Sequence, residues 1–142
     1  MSFAPDLTLL AHAMDRVVPP VDDLPGAGSM GLAEEVVERS RSDHRFWSAL
    51  EAVISNLPAA GDFGDLNGDQ QDATLSAVEQ RFPRQFGHWL DVVYTVYYMQ
   101  PAVHRRLGWH GRPPQPDGNQ MPPWNESVLD TIRNREPFWK KA

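Results

Sequence analysis

Residues 89–99 read WLDVVYTVYYM, and this run limits what the rest of the chain can be. Its β-branched and aromatic side chains would favour a strand. Two features favour a helix. Extended back to Arg84, the run is 16 residues long, whereas strands mostly stop near about 5–6 residues. Its few polar residues, His88, Asp91 and Thr95, recur at spacings of three and four, which gathers them on one helical face. A helix that is apolar nearly all round is a buried one, so other helices must surround it. The expectation is an all-α fold, a compact bundle of about five to seven helices with an extended C-terminal strap.

The surrounding helices announce themselves by caps and stops. Leu7, Leu10, Ala11, Met14 and Val18 recur at helical spacing behind Asp6 as N-cap. Pro19-Pro20 ends that helix, because neither ring has an N–H and the first disfavours helical geometry at Val18. Pro19 to Ser29 is turn chemistry, and a short helix follows through Leu32, Ala33, Val36 and Val37. Asp43 caps an amphipathic stretch carrying Phe46, Trp47, Leu50, Val53, Ile54 and Leu57 on one face. Pro58 to Gly68 reads as a loop. Asn67 and Gln70 have capping-box spacing ahead of Leu75, Val78 and Phe82. Pro101 opens a further helix, closed by Gly108 as left-handed cap beyond Leu107. Asn125 caps a last short one through Val128, Leu129 and Ile132.

At 142 residues the chain fits one domain and can hide roughly 68–70% of its unfolded surface. The division expected is a helical body over 1–108 and an extended basic tail over 109–142. The absence of cysteine excludes a disulfide scaffold, a thiolate nucleophile, Cys-ligated zinc and covalent haem. A net charge of −6 argues against nucleic acid, where cationic surface must displace counterions from phosphates. No apolar stretch approaches the ~20 residues of a membrane span. The N-terminal residues carry neither a secretory n-region nor a twin-arginine pair, which points to the cytoplasm.

Several patterns imitate functional motifs. Gly26, Gly28 and Gly31 match G-x-G-x-x-G, but PPVDDLP precedes them where a dinucleotide site needs a buried strand. A flexible lead-in to a helix accounts for them. Asp65, Asn67 and Asp69 begin like a calcium loop, yet Gln70 and Ser76 stand where Gly and a bidentate Glu belong. No two histidines lie three or four apart, so no helix presents a metal-ligand pair. His88 and Asp91 could make an oriented imidazole for general base chemistry, or a satisfied core hydrogen bond. The serines offer no nucleophile elbow, and Asn125-Glu-Ser127 is formally a glycosylation sequon. There is no self-sufficient catalytic constellation.

Charge divides unevenly. Residues 1–100 carry a net −9 and residues 101–142 a net +3, and seven of the 13 prolines lie in that last third with Trp109, Trp124 and Trp139. Such a tail either wraps over its own domain or docks on a partner, since Trp and Arg are favoured interface anchors.

Four segments in order carry a family resemblance: Met14 to Gly28 (MDRVVPPVDDLPGAG), Leu66 to Leu75 (LNGDQQDATL), Tyr97 to Trp109 (YYMQPAVHRRLGW) and Gly111 to Gly118 (GRPPQPDG). With these the chain resembles the small-subunit family (subunit 3, or gamma) of gluconate 2-dehydrogenase-type flavoprotein complexes. The resemblance implies an all-α accessory subunit that supports the folding, stability or export of a large subunit. That partner would be an FAD-dependent sugar oxidoreductase of the glucose–methanol–choline type. It implies no catalytic, metal-binding or cofactor-binding residue in this chain, with FAD held by the partner. The chain departs from the family in lacking a twin-arginine signal and the cysteine of a covalent tether, so the implied complex is non-covalent and cytoplasmic. It would be akin to enzymes that oxidise sugars, including at a glycoside 3-hydroxyl.

On that reading the interface candidates are Tyr98, Arg105, Arg106, Trp109, His110, Arg112 and Trp124. Tyr98 ends the buried helix, so core packing is the competing expectation for it. Pro113, Pro114 and Pro116 would hold the strap extended and lower its ordering cost. The alternatives are a stand-alone helical enzyme using the His88/Asp91 face and a structural homo-oligomeric domain.

Overall fold

Asp6 begins the first helix as its N-cap. One carboxylate oxygen accepts from Thr8 N at 2.9 Å and Leu9 N at 3.1 Å, satisfying two of the amides a helix start leaves unpaired. In the computed structural model, which describes residues 3–109 and 123–135, this helix is α1, Leu7–Val17. It buries Leu9, Leu10, Ala13 and Met14 and stops before Pro19. Next comes α2, Ala33–Arg41, with Glu34 and Glu35 at the positive end of its dipole. Asp43 caps α3, His44–Ile54, by accepting from Arg45 N at 2.8 Å. The Arg45 side chain folds back onto the same carboxylate, and with the amide it holds Asp43 down to about 2.

A helix then appears where a loop is expected. Helix α4, Ala60–Asp65, interrupts the Pro58–Gly68 stretch despite Gly61 and Gly64. Its anchor is Phe63, fully buried, on an element that packs against α1. Tertiary burial here outweighs the ~1 kcal/mol that each glycine costs a helix. The capping box at Asn67 and Gln70 forms as expected, both bonds at 3.0 Å, and starts α5, Gly68–Arg81. Pro83 occupies the first turn of α6, Pro83–Tyr98, and Pro101 that of α7, Pro101–Arg106.

The 89–99 run is helical, and α6 is the central element. It packs chiefly on α3 and also against α2 and α5, while α1 lies against α2, α4 and α5. Phe86, Trp89, Val92, Val93, Val96 and Tyr97 form its buried face. One expectation needs correction: α6 is not buried all round. Tyr94, Tyr98 and Met99 stand in solvent. No strand occurs among the described residues, and the bundle is all-α.

By contacts the chain forms two units, Met1–His110 and Gly111–Ala142. In the second, Asn125 Oδ1 accepts from Ser127 N at 3.1 Å ahead of α8, Val128–Arg133, and Arg133 pairs with Glu126 at 3.1 Å. Of the expected tail over 109–142, residues 110–122 and 136–142 lie outside the described residues.

Candidate functional site

The end of α6 and the turn after α7 hold most of the exposed large apolar side chains of the first unit: Tyr94, Tyr98, Met99, Leu107 and Trp109. Helix α7 ends in a Schellman motif: Trp109 N donates to His104 O at 2.9 Å and Gly108 N to Arg105 O at 3.1 Å. This requires a left-handed residue after the cap, and Gly108 has φ +68°. The turn reverses the chain so that the Trp109 indole meets the His104 ring edge-on, centroids 4.2 Å apart. His104 Nε2 in turn donates to the Tyr98 carbonyl, which ties α7 back to the end of α6. Trp109 remains 50% exposed, Leu107 64% and Tyr98 54%.

The loop after α1 is fastened to the same corner. Val21 and Leu24 exchange backbone bonds of 3.0 and 2.9 Å, and Asp22 sits at φ +51°, unusual for a residue other than glycine. Its carboxylate pairs with Arg106, and Asp23 lies 3.8 Å from the same guanidinium. Val21 is exposed beside them in sequence.

Beneath this corner, Val17 and Val18 from the end of α1 and Tyr94, Tyr97 and Tyr98 from α6 line a groove of about 410 Å³. These are all three tyrosines of the chain. Besides a small recess of about 170 Å³ at Asn56, Val78 and Arg81, two larger ones lie elsewhere. One, about 530 Å³, lies between Phe3–Leu7 and α2, with Glu34, Glu38 and Arg41 at Trp47. The other, about 290 Å³, is polar and lined by His12, Asp15, Arg16, Ser29 and Gln71.

The candidate residues fare differently. Tyr98 is exposed, against the core-packing expectation, because Tyr97 takes the inward position and the two rings meet edge-on at 5.3 Å. Trp109 is exposed but pre-positioned on His104. Arg105 is exposed. Arg106 is not the free anchor expected, since Asp22 and Asp23 engage it. Trp124 is 75% exposed within the second unit. His110 and Arg112 lie outside the described residues. His88 and Asp91 do not form the expected pair: His88 is half-buried edge-on to Phe46, centroids 6.2 Å apart, and Asp91 is exposed.

The glycine motif has a packing role that spacing alone misses. Gly26, Ala27 and Gly28 are buried against α1. A Cβ on Gly28 would fall 2.5 Å from the Ala11 carbonyl carbon, and one on Gly26 3.0 Å from Val18 O. Ser29 N donates to Asp15 Oδ1 at 2.9 Å and Ser29 Oγ to Asp15 Oδ2 at 2.7 Å. A carboxylate of the chain itself therefore occupies the place an anionic ligand would need. The lead-in is a fitted turn rather than a flexible one.

Among the described residues, no helix is long and apolar enough to cross a membrane, and no three His, Asp or Glu side chains are grouped to hold a metal. Compared with protein-family models, curated proteins and solved structures, the chain matches none.

Proposed function

We propose that this protein is the non-catalytic small subunit of a cytoplasmic, FAD-dependent sugar or glycoside oxidoreductase, binding and stabilising the large flavoprotein subunit without a covalent link. The observation that carries the reading is the corner of Tyr94, Tyr98, Leu107 and Trp109, apolar side chains left in water by a chain whose core is otherwise well closed. Taking about 150–250 Å² for a whole aromatic side chain, these residues expose roughly 300–400 Å². Burying that much would contribute a gross 8–10 kcal/mol at about 25 cal/mol per Å², much of it offset by the cost of association. A stable interface needs about 800 Å² from each partner, so the corner would be its apolar centre within a polar rim that includes Arg105. The four-segment resemblance supplies the partner's chemistry. FAD would belong wholly to the large subunit, and the oxidised hydroxyl would be chosen there.

The test is affinity capture of the tagged chain from its own cells, followed by denaturation and flavin spectroscopy of the eluate. A large subunit that releases FAD and oxidises a sugar is the expected result. A chain recovered alone, or with partners that hold no flavin, overturns the reading.

A further inference from the structure

The three-tyrosine groove has features that specify its occupant. Tyr97 is only 7% exposed yet lines the groove. The nearby side-chain hydrogen bonds run from Thr95 Oγ1 to Asp91 O, from Gln100 Nε2 to Val96 O and from His104 to Tyr98 O, and none uses a tyrosine hydroxyl. Among the described residues the sealed polar atoms without partners are His12 Nδ1 and Trp89 Nε1, not the Tyr97 hydroxyl, and Tyr94 and Tyr98 are themselves exposed. A groove lined by three tyrosines with Val17 and Val18 asks for a ligand that brings both apolar bulk and hydrogen-bonding groups. A lipid chain or an apolar helix face would cover the hydroxyls without pairing them, which is costly for a polar group taken out of water.

Spacing and charge narrow the choice. Tyr94 and Tyr98 are one helical repeat apart, about 6 Å along the axis. In an extended peptide, alternate side chains on one face are about 6.6 Å apart, so two of them match the two rings. A docked helix can present i, i+4 side chains at the same interval, but its own backbone bonds consume its carbonyls. An extended segment leaves carbonyls free to accept from the phenols. Asp91 shares the helical flank of Tyr94 and Tyr98 and is exposed. Beyond Val18, Asp22 and Asp23 set two carboxylates against one guanidinium.

We infer that this groove receives an extended peptide segment of the partner, with apolar side chains at alternate positions and a flanking Lys or Arg. The inference rests on the accessory-subunit reading for the partner's identity, but the groove's preference can be measured without it.

The probe is a displayed library of random twelve-residue peptides, panned on the purified full chain. Synthetic versions of the enriched peptides are then titrated onto the wild type, Tyr97→Phe and Tyr94→Ala/Tyr98→Ala. Enriched peptides should show two apolar residues at i, i+2 with an adjacent basic residue. Their affinity should fall at least about 10-fold in the double variant, as expected for two anchors. Tyr97→Phe, which keeps the ring and hence the packing, should cost about 3-fold for one hydrogen bond. Thermal melting of each variant confirms folding. The inference is overturned by peptides of helical i, i+4 spacing, by acidic flanks, by no enrichment, or by binding unchanged in both variants. Self-association of the wild type abolished by the double variant would make a second copy the occupant and also overturn it. A flavoprotein complex that survives Tyr94→Ala/Tyr98→Ala but is lost in Leu107→Ala/Trp109→Ala, whose residues lie outside the groove lining, refutes the groove and leaves the subunit reading standing. Library binding without any flavoprotein partner does the reverse.

Discussion

Replacing Gly28 by alanine tests the packing of the glycine turn on α1 directly. The added Cβ would lie 2.5 Å from the Ala11 carbonyl carbon and 2.8 Å from its Cα. Both are backbone atoms within α1, so no side-chain rotation relieves the overlap, and either the helix or the turn must move by about 1 Å. Overpacking a close-packed site costs about 1–3 kcal/mol when side chains can adjust, so a backbone clash belongs at or above 3 kcal/mol. At about 4 °C per kcal/mol for a body of this size, Tm should drop by roughly 10–15 °C. Gly31 and Gly87 are internal controls, since neither has an atom within 4 Å of the added Cβ. Gly31 has φ +77°, so alanine there carries only the left-handed penalty of about 1–2 kcal/mol. Gly87 lies inside α6, where alanine should stabilise by about 0.5–1 kcal/mol. Calorimetric melting of the three variants should rank them Gly87→Ala above wild type, then Gly31→Ala, then Gly28→Ala. A Gly28→Ala protein that melts with the wild type would refute the account of the turn as a close-packed element.

Other outcomes follow from single groups. Trp89 is fully buried with Nε1 unpaired, so Trp89→Phe removes an unsatisfied donor along with volume. It should cost far less in a urea titration than the ~3–5 kcal/mol of Trp89→Ala. Asp43, held at about 2 mainly by the Arg45 side chain, has a folded value below its unfolded one near 3.9. Its stabilisation is therefore complete above about pH 4 and lost as pH falls toward 2. Asp43→Asn should flatten the acid limb of a Tm-against-pH profile. Asp72 is lowered by its hydrogen bonds from Arg16 and titrates with the same sign. Gly108→Ala strains the Schellman turn, by about 1–2 kcal/mol, and should shift Trp109 fluorescence by releasing the indole from His104.

Most of the scaffold could be read before the structure because it is written in local chemistry. Asp6, Asp43 and the Asn67/Gln70 box each act within three residues of themselves, and Pro19 and Pro101 act through their own rings. Helix α4 escaped because its signal is Phe63 burial, a tertiary effect that overrides two local glycines. The glycine triplet differs in the opposite direction: the acidic, proline-rich lead-in correctly tells against a phosphate loop, but the turn is fitted rather than flexible, for a reason that lies in its distance to α1. For the candidate surface, Trp109 and Tyr98 could be singled out by residue type. That Tyr97 rather than Tyr98 turns inward depends on how α6 is rotated against α3. Arg106 looked free because Asp22 and Asp23 lie over 80 residues away in sequence.

The central claim is that the α6–α7 corner joins this chain to a flavoprotein. The most direct measurement is the FAD recovered per mole of chain after affinity purification from its own cells, for the wild type and for Tyr98→Ala/Trp109→Ala. Both positions are half-exposed, so the substitutions leave the core intact, and circular dichroism can confirm it. The account predicts near-stoichiometric FAD with the wild type and a loss of at least about 10-fold with the variant, as befits paired hot spots. No FAD with the wild type, or equal FAD with both, would contradict it.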